Sequence, residues 1–115
     1  MHDRIAHPGL ASRRMTAEQA ATLIQPGMTV GMSGFTGAGY PKAVPLALAE
    51  RITTAQDQGR EFGLRILTGA STAPELDGAL ARAGGIDFRL PYQSDPELRT
   101  RINNGQIDYM DIHLG

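Results

Sequence analysis

Four glycines, Gly31, Gly34, Gly37 and Gly39, fall within nine residues of the run from Val30 to Lys42. A short apolar run leads into them and a helix-like pattern follows. Glycine takes backbone angles closed to other residues and lets a ligand approach the main chain. A strand, a bare loop and a helix start together aim backbone N–H groups at a negative or polarised oxygen. The segment therefore reads as a binding or catalytic loop, with Gly34, Phe35, Thr36, Gly37, Ala38, Gly39, Tyr40 and Lys42 as its candidate residues. A second small-residue turn, Thr68-Gly69-Ala70-Ser71-Thr72, adds Gly69, Ser71 and Thr72. Its hydroxyls suit a ligand at the carboxyl edge of a parallel sheet, or the cap of the next helix, which is the favoured role.

The loop is not a phosphate-binding P-loop, because Lys42 is followed by Ala43 and the glycine spacing differs. Nor is it the dinucleotide fingerprint: Gly34, Gly37 and Gly39 are spaced G-x-x-G-x-G, and no acid closes the next strand. A tight, close-packed turn is the alternative. The carboxylates sit mostly on polar helix faces and turns. Glu75 and Asp77 follow the second turn, and Glu75 is placed to complement a helix N-terminus. His2, His7 and His113 show no metal-ligand spacing, and no serine, histidine and acid form a triad pattern. With no cysteine, thiolate chemistry and disulfides are excluded. The chain thus carries a ligand or oxyanion loop without a nucleophile, base or metal site: half of a catalytic constellation.

Positioning such a loop requires a parallel sheet. Thr16 to Gln19 fits a capping box that opens a short helix, with Ala20, Leu23 and Ile24 on its apolar face and Pro26-Gly27 as its stop. Met28 to Met32 reads as a buried strand centred on Val30. A second helix is expected from near Pro41, with Val44, Ala47, Leu48 and Ile52 facing the core, fading from Thr53 to Gly59. Leu64 to Thr68 is the next strand, completing a βαβ unit. Ser71 or Thr72 would cap a helix through Pro74, Leu76, Leu80 and Ala83, ended by Gly84-Gly85. Ile86 to Leu90 alternates as a third strand. Ser94 or Asp95 would cap a fourth helix from Pro96, and a further strand begins near Tyr109. Residues 1–15 read as an extended arm.

The 115 residues suit one domain or a piece of a larger one. With 41% apolar residues, much of them alanine, and no tryptophan, the core is thin. A net charge of −1 and scattered basic residues give no reason to expect nucleic acid or an anionic membrane. The N-terminus lacks a secretory core, and no apolar run approaches a membrane span. The chain stops in apolar, patterned sequence, so more sequence is expected after Gly115.

The run Ser33 to Lys42 resembles the N-terminal signature of the acetyl-CoA hydrolase/transferase family. The resemblance continues through Leu67 to Thr72, Glu75 to Gly78, Phe88-Arg89 with Pro91-Tyr92, Arg99 to Gly105, and His113 to Gly115. It implies an α/β fold with a mostly parallel sheet and flanking helices, of which residues 16–115 would be the opening part of the first domain. It also implies acyl-CoA:carboxylate CoA transfer with side hydrolysis of acyl-CoA. A glutamate attacks the acyl-CoA thioester to give an acyl-glutamyl anhydride, the CoA thiolate attacks that anhydride, and a glutamyl-CoA thioester results. An incoming carboxylate reverses the sequence. The family's nucleophilic glutamate lies in its C-terminal half, so no catalytic residue is assigned here. The loop Gly34 to Lys42 would line the active site, with Lys42 holding a substrate carboxylate or phosphate or simply exposed at a helix start. The substrates implied are acyl-CoA and a small carboxylate, with no bound cofactor and no metal, in a cytoplasmic homodimer. The other reading from the residues is a stand-alone small-ligand or partner-binding module without catalysis.

Overall fold

The computed structural model describes residues 6–34, 38–69, 73–90 and 95–110. Four strands, β1 (Thr29–Met32), β2 (Leu64–Thr68), β3 (Ile86–Leu90) and β4 (Asp108–Tyr109), form one sheet in the order β1-β2-β3-β4. Every neighbouring pair is parallel. The α/β class with a parallel sheet is therefore as expected. Among the described residues, five helices accompany the sheet: α1 (Pro8–Ala11), α2 (Ala17–Ala21), α3 (Ala43–Asp57), α4 (Ala79–Arg82) and α5 (Pro96–Asn103). A π-helical turn, Pro74–Gly78, runs directly into α4.

Strands that pair in chain order through right-handed crossovers place their connecting helices on one face. Burial agrees. Leu64, Ile66 and Ile86 of the sheet join Leu48 and Ile52 of α3, Leu76, Leu80 and Leu98 in one core cluster. Fully burying each of these side chains contributes about 1.5–3 kcal/mol. Thr29, Gly31 and Arg65, on the other face, are exposed, and Leu67, Phe88 and Leu90 are half-buried. Arg65 stacks its guanidinium 4.4 Å from the ring centroid of its cross-strand partner Phe88.

Several elements differ from the sequence reading. The first strand is not buried: Val30 is half-exposed, because β1 pairs on one side only among the described residues. Leu23 lies beyond the end of α2 and is 64% exposed. The arm contains a helical turn, α1, whose N-cap His7 accepts from the Gly9 N–H. Helix α3 begins at Ala43, so its first-turn proline is Pro45 rather than Pro41. The missing N–H of Pro45 falls among the four donors a helix start leaves unpaired. The alternation of β3 fails at its centre. Leu64 pairs with Ile86 but Arg65 pairs with Phe88, so a bulge at Asp87 turns Arg89 inward with Ile86.

The capping box forms as read. The Gln19 N–H donates to Thr16 Oγ1 at 3.1 Å, and the Thr16 N–H donates to Gln19 Oε1 at 2.8 Å. Arg51 then donates to the carbonyls of Ala21 and Ile24, tying the end of α2 to α3. Thr16→Ala is expected to lower stability by about 1 kcal/mol, read as a shift in the urea midpoint; an unchanged midpoint would show that Arg51 alone holds α2.

Candidate functional site

All four strands run the same way, so the loops that follow them collect at one edge of the sheet. Two of the described loops touch there. Gly69, directly after β2, lies against Gly34, two residues after β1. A Cβ built on Gly69 would sit 2.3 Å from the Gly34 carbonyl oxygen. Gly34 and Gly39 take φ of 144° and 70°, in the region that favours glycine. The two small-residue segments singled out in the sequence thus form one place. Phe35, Thr36 and Gly37 of the first, and Ser71 and Thr72 of the second, lie outside the described residues. The N-cap position before the π-helical turn is Ala73, which offers no side-chain cap.

The glycine loop is pinned at its far end. The Tyr40 hydroxyl donates to Glu75 Oε2 at 2.8 Å. Lys42 Nζ lies 4.6 Å from the centroid of the Tyr40 ring, within cation–π range. Glu75 belongs to the π-helical turn, in which the Ala73 carbonyl accepts the N–H groups of Leu76, Asp77 and Gly78. Such turns recur at functional sites because they re-aim the side chains around them. Two residues on, Asp77 is fully buried, and Arg89 grips it with Nε–Oδ1 at 2.7 Å and Nη2–Oδ2 at 3.2 Å. Arg89 Nη1 also donates to the Leu90 carbonyl at 2.6 Å. A path of fixed contacts therefore runs from β3 through the π-helical turn to Tyr40 and Lys42.

Sequence reasoning missed these partners. Glu75, read as complementing a helix N-terminus, is a partner of Tyr40, and Asp77, read as following the second turn, is buried. No local pattern announces a bond spanning 35 residues. The bulge that turns Arg89 inward is likewise a tertiary feature.

The hydrogen bond from Tyr40 holds the Glu75 carboxyl below its ordinary value of 4.5, helped by its own backbone and the charge of Lys42 and opposed by partial burial. The same bond raises the Tyr40 phenol above 10.0, with burial and the Glu75 charge adding to it. Glu75 is lowered on folding, so its contribution is present above 4.5 and lost as pH falls through the lowered value. Tyr40 is raised, so its contribution is present below 10.0 and lost as pH rises through the raised value. The difference in melting temperature between the natural chain and Tyr40→Phe is expected to be flat between these limits and to close beyond both. A difference that grows toward acid would contradict the assignment.

Among the described residues, no group of three or more histidine, aspartate or glutamate side chains is placed to hold a metal ion. A cleft of about 550 Å³ lies at the opposite edge of the sheet, lined by Glu18, Gln25, Arg51, Arg60 and Phe62 among others. Arg51 is already engaged there by backbone carbonyls and by the ring of Phe62. That cleft is a seam between α2 and α3, remote from the loops that follow the strands.

Residues 10–115 match the family model described as the acetyl-CoA hydrolase/transferase N-terminal domain. The chain belongs to that family. It is 43% identical over 111 residues to the succinyl-CoA:acetate CoA-transferase of Clostridium kluyveri, covering 96% of this chain and 20% of that protein. Identity to the propanoyl-CoA:succinate CoA transferase of Escherichia coli is also 43%, over 101 residues, covering 88% of this chain and 20% of that protein. The acetyl-CoA hydrolase of Candida glabrata is 34% identical over 114 residues, covering 99% of this chain and 21% of that protein. The chain spans about a fifth of the length of these curated relatives. As a member of the acetyl-CoA hydrolase/transferase family it presents the parallel sheet that the resemblance implied. No helix among the described residues is long and apolar enough to cross a membrane.

Proposed function

We propose that this chain is the amino-terminal part of an acyl-CoA:carboxylate CoA-transferase. The donors are acetyl-CoA or succinyl-CoA, the acceptors acetate or succinate, and water in place of the acceptor gives slow hydrolysis. The reaction passes through a glutamyl-CoA thioester on a glutamate outside these 115 residues. The glycine loop, Gly34 to Lys42, supplies backbone N–H groups to the oxyanion that forms when the thioester or anhydride carbonyl is attacked. Removing one such donor from an oxyanion hole costs about 2.7–4 kcal/mol of barrier. Gly69, Ser71 and Thr72 are assigned the secondary binding role. Lys42 supplies the positive charge for an anionic substrate group. The whole protein acts in the cytoplasm as a homodimer on small molecules, not on nucleic acid or membrane.

One observation carries this reading: the two glycine-bearing loops meet at the carboxyl edge of the sheet, Gly69 beneath the Gly34 carbonyl. That edge is where open α/β sheets bind their ligands. The test is to express the whole reading frame that contains this segment, treat it with acetyl-CoA, and trap the enzyme thioester with borohydride. The expected label falls on a glutamate outside residues 1–115, and the 115-residue chain alone exchanges no CoA. Turnover by the chain alone, or label on one of its own acids, would overturn the proposal.

A further inference from the structure

Lys42 is the one lysine in the chain, against ten arginines. It stands at the N-cap position of α3, exposed, at the carboxyl edge of the sheet. A lysine side chain is flexible and loses much rotamer freedom when held in place. Here its ammonium lies over the face of Tyr40, and the ring is tied at its hydroxyl to Glu75. Glu75 in turn is carried by the π-helical turn, which the buried Asp77–Arg89 pair fixes to β3. Among the described residues no carboxylate lies within ion-pair distance of Lys42, although its charge reaches Glu75 and helps lower that carboxyl.

We propose that Tyr40 and Glu75 are positioning residues for Lys42, holding its ammonium at the carboxyl edge of the sheet as a preset anchor for an anionic oxygen group. The inference rests on the CoA-transferase reading for the source of that group, which is either the acceptor carboxylate or a phosphate of CoA. The positioning itself does not depend on that reading. The carboxylate of Glu75 accepts the hydrogen bond that the phenol donates, which keeps the Tyr40 ring face turned to Lys42. The ring faces the ammonium without neutralising it, as an ion pair would.

The positioning is directly measurable. In the whole enzyme labelled with 13Cε-lysine, the Lys42 ε-methylene signal, assigned by its loss in Lys42→Met, is expected upfield of free lysine, because it lies over an aromatic face. Glu75→Gln keeps an acceptor for the phenol and is expected to keep the shift. Glu75→Ala and Tyr40→Leu are expected to lose it. An unshifted signal in the natural chain, or a full shift in Glu75→Ala, overturns the proposal whatever the protein catalyses. In the whole enzyme, Lys42→Met and Glu75→Ala are each expected to raise one KM about tenfold, the loss of one charge-assisted contact. The rise falls on the acceptor if the anchor holds a carboxylate. It falls on acyl-CoA, and disappears with dephospho-CoA thioesters, if the anchor holds the 3′-phosphate. kcat is expected to change less than KM, and Glu75→Ala to add nothing once Lys42→Met is present. Unchanged KM values for both substrates in Lys42→Met overturn the anchor role. That kinetic failure beside an intact upfield signal would separate a wrong ligand from a wrong geometry.

Discussion

Asp77→Ala is expected to remove about 3–5 kcal/mol of stability, the usual cost of taking one partner from a buried ion pair. Natural domains have a margin of only about 5–15 kcal/mol, so a substantial share of it would go. Both side chains are fully shielded from water. Truncating the carboxylate removes the acceptor of the Arg89 Nε and Nη2 hydrogens without letting solvent replace it. The double replacement Asp77→Leu with Arg89→Met is expected to recover much of the loss, because an apolar pair of similar volume carries no desolvation penalty. Urea midpoints of the two variants decide the matter. A loss under about 1 kcal/mol in Asp77→Ala would mean that solvent reaches Arg89.

Gly69→Ala is the second large effect. The added methyl would lie 2.3 Å from the Gly34 carbonyl oxygen and 3.5 Å from its carbon. A backbone carbonyl has no rotamer to escape into, so the two loops must part. Overpacking of this kind costs about 1–3 kcal/mol of stability. The effect on catalysis is expected to be larger in proportion: misplacing reacting groups by about 1 Å costs roughly a hundredfold in rate. Gly31→Ala is the control. A Cβ there meets nothing within 4 Å, and relieving glycine's unfolded-state freedom is expected to add about 0.4–1 kcal/mol. If Gly69→Ala in the whole enzyme kept full transfer activity, the contact between the loops would have no part in the chemistry.

Much of the frame was legible because its signals are local. The apolar runs gave Leu64–Thr68 and Ile86–Leu90 with their observed bounds. Thr16 and Asp95 announced helix starts through their own hydrogen-bonding reach, and Asp95 accepts the Leu98 N–H at 3.1 Å. Gly105, with φ 74°, follows the C-cap Asn104 and closes α5. What escaped depends on contacts across the fold. Leu23 looks apolar and periodic, yet α2 ends before it. Arg89 occupies a position that alternation assigns to solvent, and only the bulge opposite β2 brings it inside. Of the candidate site, the glycine segments were visible as composition, and their meeting was implied by parallel strands. The bond between Tyr40 and Glu75 was not visible, since each residue has an ordinary local role available to it.

A sheet ordered β1-β2-β3-β4 has a consequence for how the polypeptide is made. Among these four strands each pairs with the one synthesised just before it, so no later one of the four has to be threaded between its predecessors. Chains emerge from the ribosome at about 5–20 residues per second, and β1 and β2 begin 35 residues apart. The nascent protein thus has seconds to close one βαβ unit before the next appears. Growth by accretion confines the newly exposed backbone to one travelling edge, while the outer edge of β1 stays as it was, limiting the time in which each new edge can seize a strand from another molecule.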